Sequence, residues 1–304
     1  MSSSVWKTQA ERGSAFWIGV LAWLAVRLGR SLTVLLLWPI AAYFLVTGTA
    51  ARAASRHYLR RALGREPRRT EILRHFHRFA VSTLDRLLIL SGQTAGFTIS
   101  RSLQSHSGML AKPSAGCIVL LAHFGNFEIL RSARSLAGFG PIRLVMDREH
   151  GRLLTGLLER RNPAFAASII DSGNGGPELA LRLREALDRG NFVGIMADRV
   201  RPGGAQLEVD FLGGRAVFPA GPWNLAAVMK VPVLAAFAAS RKGCRYEIGV
   251  ELLTEGIDVP RSQRAAAVQR LAQNYAGVLE RQVREAPYNW FNFYDFWHDE
   301  AAQA

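Results

Sequence analysis

The chain has 304 residues, of which 49% are apolar, enough for one α/β domain with a large core and an appendage. Its two cysteines, Cys117 and Cys244, lie far apart in the sequence, and nothing in the sequence suggests a disulfide framework or a Cys/His zinc site. The formal net charge of +14 is concentrated near the start, because residues 1–80 hold 13 Lys and Arg against 3 Asp and Glu.

The first predicted element is an apolar helical segment within residues 1–51 that attaches the chain to a membrane. No charged residue occurs in residues 31–51, and a helix of that length would measure about 31 Å, enough to cross a hydrocarbon core. A shorter apolar stretch, residues 14–26, precedes it. Because basic residues flank this apolar segment, the positive charge indicates a membrane surface rather than nucleic acid as the anionic partner.

Four interpretations of this segment remain open at the sequence level. It is a spanning anchor, or it is an interfacial or re-entrant helical pair, which Pro39, Arg27 and Arg30 favour. A secretory signal ending near Ala51 is the third interpretation, and the long, interrupted start of the segment opposes it. The fourth interpretation is a buried helix of the domain that follows.

A domain is predicted to cover residues 52–304, and its first part, residues 52–110, is a basic helical lead-in. Nine Lys and Arg lie within residues 52–78, and if the preceding segment spans a membrane, this excess places the domain in the cytoplasm. Arg52, Arg56 and Arg60 recur every four residues and share one helix face. Attraction of such a face to anionic headgroups would contribute about 1 kcal/mol of binding free energy per residue. The alternative is a solvated basic face.

A base and a carboxylate, His123 and Glu128, lie on a predicted strand-to-helix turn. Residues 118–121 form a short apolar run that is typical of a buried strand. Gly125 permits a tight turn after this strand. The carboxyl end of a strand at a helix start is where α/β proteins place their chemistry.

The helix after this turn is predicted to begin at its N-cap, Asn126, and to run over residues 127–137. In the mechanism that the turn suggests, Glu128 accepts one imidazole N–H, and the other nitrogen of His123 takes a proton from a substrate hydroxyl. The hydroxyl then attacks a thioester or ester carbonyl. No serine or cysteine adjoins His123, which favours direct transfer over an acyl-enzyme. The alternative is a buried histidine that a nearby carboxylate satisfies.

The rest of the chain predicts an α/β fold, with a mixed or mostly parallel sheet flanked by helices. Strands are expected at residues 142–146, 168–170, 192–196, 231–238 and 246–252, and helices at 152–161, 177–188, 222–229 and 261–284. Asp198 ends a predicted strand, as His123 follows one, so the two side chains are expected to face the same cleft. The glycine pairs form neither a Walker loop nor a dinucleotide fingerprint, which argues against nucleotide binding.

The stretch from residue 122 to 128, Ala-His-Phe-Gly-Asn-Phe-Glu, resembles the His-x4-Asp/Glu block of the lysophospholipid acyltransferase superfamily. It resembles most the bacterial lipid A biosynthesis acyltransferases, the lauroyl and myristoyl transferases. Later blocks resemble that family in the same order, and they occupy residues 146–148, 194–199, 211–222 and 230–234. The resemblance extends from the apolar N-terminal segment to about Trp290.

The resemblance implies roles for individual residues. His123 and Glu128 correspond to the catalytic pair, and the positions assigned to substrate binding are Asn126, Arg148, Asp198, Arg215 and Gly221. Arg148 and Arg215 would grip a phosphate of the acceptor or the donor, because a guanidinium pairs bidentately with phosphate. Asp198 would hold one of these arginines, or it caps a helix or forms a surface ion pair.

Two positions depart from the resemblance. Members that bind glycerol phosphates often carry an acidic residue where this chain has Ala220, which weakens a glycerolipid assignment. Lipid A acyltransferases tend to end in a proline followed by a Trp-rich stretch with paired basic residues. Pro287 and Trp290 match that pattern, but Tyr294 and Asp295 replace the basic pair. The aromatic residues there are expected at a membrane interface, along an acyl channel, or as a patch that covers the core.

These observations predict an O-acyltransferase of the inner membrane whose catalytic domain faces the cytoplasm. It would move a fatty acyl chain from acyl carrier protein to a hydroxyl of a glycolipid such as a lipid A precursor, without a metal or a tightly bound cofactor. Carrier proteins are acidic, and the basic face could dock one. The alternatives are an acyltransferase for a lysophospholipid or an aryl-polyene-type lipid, and a non-catalytic membrane protein that binds lipid or carrier protein.

Overall fold

A seven-stranded, mostly parallel sheet forms the centre of the fold. The computed structural model describes residues 15–101, 116–133, 140–147, 162–173, 175–201 and 203–297. The strands are β1 (Thr98–Arg101), β2 (Cys117–Leu121), β3 (Ile142–Met146), β4 (Ile169–Asp171), β5 (Phe192–Met196), β6 (Gln206–Phe211), β7 (Gly214–Pro219), β8 (Val233–Ser240) and β9 (Arg245–Thr254). The sheet has the order β1-β9-β8-β2-β5-β3-β4, and only β8 and β9 pair antiparallel. Strands β6 and β7 form a separate antiparallel hairpin.

Helices cover this sheet, and the predicted α/β class with a mostly parallel sheet is confirmed. They are α1 (Ala15–Thr47), α2 (Thr49–Leu63), α3 (Arg69–Leu90), α4 (Phe127–Ser132), α5 (Pro163–Ser168), α6 (Gly176–Asp188), α7 (Ala220–Met229) and α8 (Arg264–Glu285). Every residue of β2 is buried, because successive side chains point to opposite faces and each face has its own core. Ile118 and Leu120 join one apolar cluster, while Val119 and Leu121 join the other.

Most predicted elements lie within a residue or two of their observed bounds. Strands β3 and β5 begin and end where the sequence predicts them. Helix α4 begins after Asn126 as expected, but it ends at Ser132, short of the predicted end at residue 137. The helix predicted over residues 152–161 lies outside the described residues. Strand β1 and the β6–β7 hairpin were not predicted, since the charged residues of β6 interrupt an apolar strand pattern.

Helix α1 bends at Gly29, where φ is 78° and ψ is 160°, and not at Pro39, where the sequence suggested a break. Glycine tolerates a positive φ at no steric cost, and this explains the position of the bend. The arm after the bend, residues 29–47, is long and apolar enough to cross a membrane by length and composition alone. Only 17% of its apolar window is buried, which contradicts a buried helix of the domain.

Gly125 allows the loop after β2 to approach strand β8 very closely. Its φ is +58°, and a Cβ atom built there would lie 1.8 Å from the carbonyl oxygen of Ala238. The loop is fixed by hydrogen bonds on both sides of this contact. The N–H of Gly125 donates to the Asn289 carbonyl at 2.7 Å, and the N–H of Asn126 donates to the Ala238 carbonyl at 3.1 Å. A side chain at position 125 would push the loop that carries His123 away from the sheet.

We therefore expect Gly125→Ala to lower the free energy of unfolding by about 1–3 kcal/mol, the usual cost of overpacking a tight site. Gly221→Ala is the control, because a Cβ at that helical position meets nothing within 4 Å. The control should be neutral or raise the free energy of unfolding by up to about 1 kcal/mol. Denaturant unfolding of the purified protein measures both, and equal stability of Gly125→Ala and wild type would contradict the proposed close contact.

Candidate active site

His123 and Asp198 meet at the carboxyl ends of two adjacent parallel strands. Strands β2 and β5 pair so that Leu121 lies opposite Met196. His123 and Asp198 each follow two residues later, so the register of the ladder brings the two side chains side by side. The two side chains therefore lie together at one edge of the sheet, as expected for residues that end adjacent parallel strands.

The carboxylate of Asp198 is fully buried and holds His123 through two hydrogen bonds. Its Oδ1 lies 2.9 Å from Nδ1 of the imidazole, and its Oδ2 accepts the backbone N–H of His123 at 2.9 Å. The indole N–H of Trp290 donates to the same Oδ2 at 2.9 Å. Three donors around one buried carboxylate favour its charged form.

The pKa shifts at this pair follow from those contacts. Burial alone would raise the pKa of Asp198, but His123, Arg199 and the hydrogen bonds lower it to about 2. An ionised Asp198 only accepts hydrogen bonds, so Nδ1 of His123 carries the proton and Nε2 keeps a lone pair. Burial lowers the pKa of His123, the charge of Arg199 lowers it further, and Asp198 opposes both. His123 is therefore a neutral base at neutral pH.

Glu128 contacts two arginines and Asp198 contacts the imidazole, which corrects the predicted hydrogen-bond partner of His123. Its buried carboxylate lies 2.9 Å from Nε of Arg131 and 3.7 Å from Nε of Arg86. The guanidinium of Arg86 also stacks over the ring of Phe127, 4.5 Å from its centroid. Glu128 belongs to the first turn of helix α4, and that turn directs it towards these arginines. The carboxylate that contacts the imidazole is Asp198.

The aromatic segment that follows helix α8, residues 287–297, packs against the loop that carries His123. The N–H of Phe291 donates to the His123 carbonyl at 2.9 Å, and Phe124 forms an antiparallel bridge with Trp290. Arg199 donates to the Phe291 carbonyl at 2.6 Å and lies over the ring of Tyr294, 5.5 Å from its centroid. The aromatic stretch therefore supports the loop that carries His123 directly.

The other residues predicted to bind substrate have different positions. Asn126 is 2% exposed and acts as the N-cap of α4, because its side chain accepts the Glu128 N–H at 3.1 Å. Asp198 was expected to hold Arg148 or Arg215, and of these two Arg215 pairs instead across the hairpin with Glu208 and is largely exposed. Gly221 is an exposed residue of the first turn of α7.

Arg148 lies outside the described residues, so its predicted role stays a prediction. The same applies to a role of Arg215 or Gly221 in substrate binding. Among the residues that the structure describes, no group of three or more His, Cys, Asp and Glu side chains could hold a metal ion.

Sequence reasoning missed two residues of this site, Trp290 and Arg199. Of the three positions expected for the aromatic stretch, Trp290 has the one in the core, but its hydrogen bond to Asp198 was not predicted. A buried indole N–H needs an acceptor, and this rule could have indicated a buried carboxylate as its partner. Arg199 adjoins Asp198 in sequence, but the chain has 38 basic residues, and no pattern distinguished this one.

The geometry describes a histidine with one nitrogen fixed by a buried carboxylate and 34% of its side chain exposed. Comparison with curated proteins finds no match to this chain. A family model for bacterial lipid A biosynthesis acyltransferases matches residues 3–299, nearly the whole chain. The chain therefore belongs to the bacterial lipid A biosynthesis acyltransferase family and is an acyltransferase.

Proposed function

We propose that this acyltransferase moves a fatty acyl chain from acyl carrier protein to a hydroxyl of a lipid A precursor, with His123 as the general base and Asp198 as its positioning residue. The observation that carries this proposal is the 2.9 Å contact between Nδ1 of His123 and the buried Asp198. It leaves Nε2 as the proton acceptor on a side chain that is one-third exposed. Family membership favours this enzyme over the non-catalytic lipid-binding alternative.

The transfer requires one proton to move twice. Nε2 takes the proton of the acceptor hydroxyl while the oxygen forms a bond to the thioester carbonyl carbon. The tetrahedral intermediate then breaks its C–S bond, and the imidazolium returns the proton to the leaving thiolate. Asp198 stabilises the imidazolium between these steps without being protonated itself, as the pKa of about 2 requires.

Charge and hydrophobicity support the two proposed partners. A net charge of +14 is complementary to an acidic carrier protein and to an anionic membrane surface. The apolar arm of α1 supports attachment to a membrane, and we place the enzyme at the inner membrane with its site facing the cytoplasm.

One departure from the family pattern beside the site bears on which lipid accepts the acyl chain. Tyr294, which stands where the family tends to have a basic residue, lies against Arg199 beside the site. This departure favours a second candidate acceptor, a lysophospholipid or an aryl-polyene-type lipid. Transfer assays should therefore compare a lipid A precursor with both alternatives as acceptors.

We expect His123→Ala to lower acyl transfer from labelled acyl carrier protein by about 10²–10⁴-fold, the usual contribution of a general base. Asp198→Asn should lower kcat by about 10²-fold, because a misoriented base loses its alignment with the hydroxyl. Undiminished transfer in the His123 variant would refute the proposed base. Transfer to none of the three acceptors by the wild-type enzyme would refute the proposed function.

The variant Glu128→Gln distinguishes the role of Glu128 from that of Asp198. Glu128 is buried between Arg86 and Arg131, so its loss leaves two arginines without their shared countercharge. Breaking such a buried pair costs roughly 3–5 kcal/mol. We expect this variant to unfold at a lower temperature while the pH dependence of its remaining activity is unchanged. A changed pH dependence with wild-type stability would instead assign Glu128 to the reaction.

The pH dependence of kcat/KM should reveal the pKa of His123, because only the neutral imidazole accepts a proton. Since burial and Arg199 lower that pKa, activity should decline only below pH 6.5, the ordinary value for histidine. Asp198→Asn removes the charge that raises the pKa, so the decline should move to lower pH. Arg199→Gln removes a charge that lowers the pKa, so the decline should move to higher pH.

Arg199→Lys is the control for this measurement, because it keeps the positive charge while changing the hydrogen bond to Phe291. Its pH profile should stay close to that of the wild type. Shifts of the same sign in Asp198→Asn and Arg199→Gln would contradict this electrostatic account.

A further inference from the structure

The arm of α1 that follows Gly29 presents a continuous apolar face to its surroundings. Its exposed large side chains include Leu35, Tyr43 and Val46, at 63%, 63% and 70% exposure. Leu32, Leu36 and Trp38 extend the same face. We call these six residues the apolar strip, and no charged residue interrupts them. A patch of this kind marks an interaction surface.

The opposite face of the arm is packed along α3. Thr33, Leu37 and Ala41, which recur every four residues, are the buried positions of this face. Arg30 makes a two-pronged ion pair with the fully buried Asp85 of α3, at 2.6 and 2.8 Å.

Further contacts along the chain show that the two helices run antiparallel. His77 of α3 contacts the Val34 carbonyl at 3.1 Å and stacks on the ring of Trp38 with centroids 3.8 Å apart. Further along the arm, Ala41 belongs to the main apolar cluster, which also includes Ile72 and Phe76 from the first half of α3. The arm is therefore attached to α3 over most of its length.

This packing is incompatible with a helix that crosses the membrane. If the arm spanned a bilayer, α3 would enter the hydrocarbon beside it, together with Arg74, Arg78, Asp85 and Arg86. Each charged side chain near the centre of a bilayer costs about 2.5–3.5 kcal/mol even on insertion scales.

The surroundings of the strip match a membrane surface of negative charge. Arg27 stands just before the arm, and Arg52 just after it donates to the carbonyl of Leu45 at 2.7 Å. Trp38 and Tyr43 have rings with polar edges, which favours the interface between headgroups and acyl chains. An apolar face between basic ends is typical of a helix that lies in the plane of an anionic leaflet.

We propose that the arm of α1 after Gly29 attaches the enzyme to one leaflet of an anionic membrane, lying in the plane of the surface with the apolar strip immersed and without crossing the bilayer. This inference rests on the proposed function and specifies the membrane attachment in it.

Helix α3 also connects this attachment to the active site. Phe79 of α3 is 46% exposed and packs edge-on against Phe291 and Phe293, with centroids 5.4 Å apart in both pairs. Phe291 in turn is hydrogen-bonded to the carbonyl of His123. A helix that holds the strip on one side and this aromatic group on another keeps His123 close to the membrane that contains its lipid acceptor.

Vesicle flotation tests the attachment surface. The full-length protein should float with vesicles of phosphatidylcholine and phosphatidylglycerol, and Leu35→Glu should lower the membrane partition coefficient at least about tenfold. Leu181→Glu is the matched control, because Leu181 on α6 is 61% exposed, against 63% for Leu35. Equal loss in both variants, or no loss in either, would overturn the proposal. So would a stable dimer of the wild type that buries the strip and does not float.

Cysteine labelling tests whether the arm crosses the bilayer. In a Cys244→Ser background, where only the buried Cys117 remains, Arg27→Cys and Thr49→Cys place one thiol at each end of the arm. A membrane-impermeant maleimide added to sealed vesicles should label both positions from the same side. Labelling from opposite sides would show a spanning helix and overturn the proposal.

Transfer in detergent micelles separates this inference from the proposed function. Leu35→Glu should keep wild-type transfer to a dispersed lipid acceptor and lose transfer to the same acceptor in vesicles. If the wild type transfers to no acceptor in either medium, the proposed function fails, while flotation and labelling still decide how the chain is attached.

Discussion

The buried carboxylate of Asp198 organises the active site. A carboxylate without partners inside a protein would be protonated or would destabilise the fold, so its donors must be supplied by the surrounding chain. Here they come from His123, which follows β2, and from Trp290, near the end of the described chain. One charged group therefore requires three distant parts of the sequence to fold together. The same requirement fixes the proton on Nδ1 of His123 and leaves Nε2 free to accept one.

Two buried carboxylates lie near the His123 loop, and their surroundings give them different tasks. Asp198 is paired with a histidine that can gain and lose a proton. Glu128 is paired with Arg86 and Arg131, which keep their charge throughout. A carboxylate between two permanent cations anchors helix α4, and a carboxylate beside an imidazole can orient a base. Pairs of titratable groups in contrasting environments are a recurrent way to assign such roles.

The sequence was sufficient to predict that His123 and Asp198 lie close together, because parallel strands present their carboxyl ends at the same edge of a sheet. It was not sufficient to predict which carboxylate contacts the imidazole. Glu128 is closer in sequence, but the direction of its side chain depends on how helix α4 packs against Arg86. The hydrogen bond from Trp290 depends on a contact across 92 positions that no local pattern encodes.

The central claim is that Asp198, and not Glu128, fixes the tautomer of His123. Nuclear magnetic resonance of protein labelled with ¹⁵N-histidine reports this directly, since protonated and lone-pair nitrogens have distinct shifts, and His123→Ala assigns the signals. The account predicts a proton on Nδ1 and a lone pair on Nε2, with a titration below pH 6.5, the ordinary value for histidine. Asp198→Asn should alter this signal and Glu128→Gln should preserve it. A proton on Nε2 in the wild type, or a tautomer that responds only to Glu128→Gln, would contradict the account.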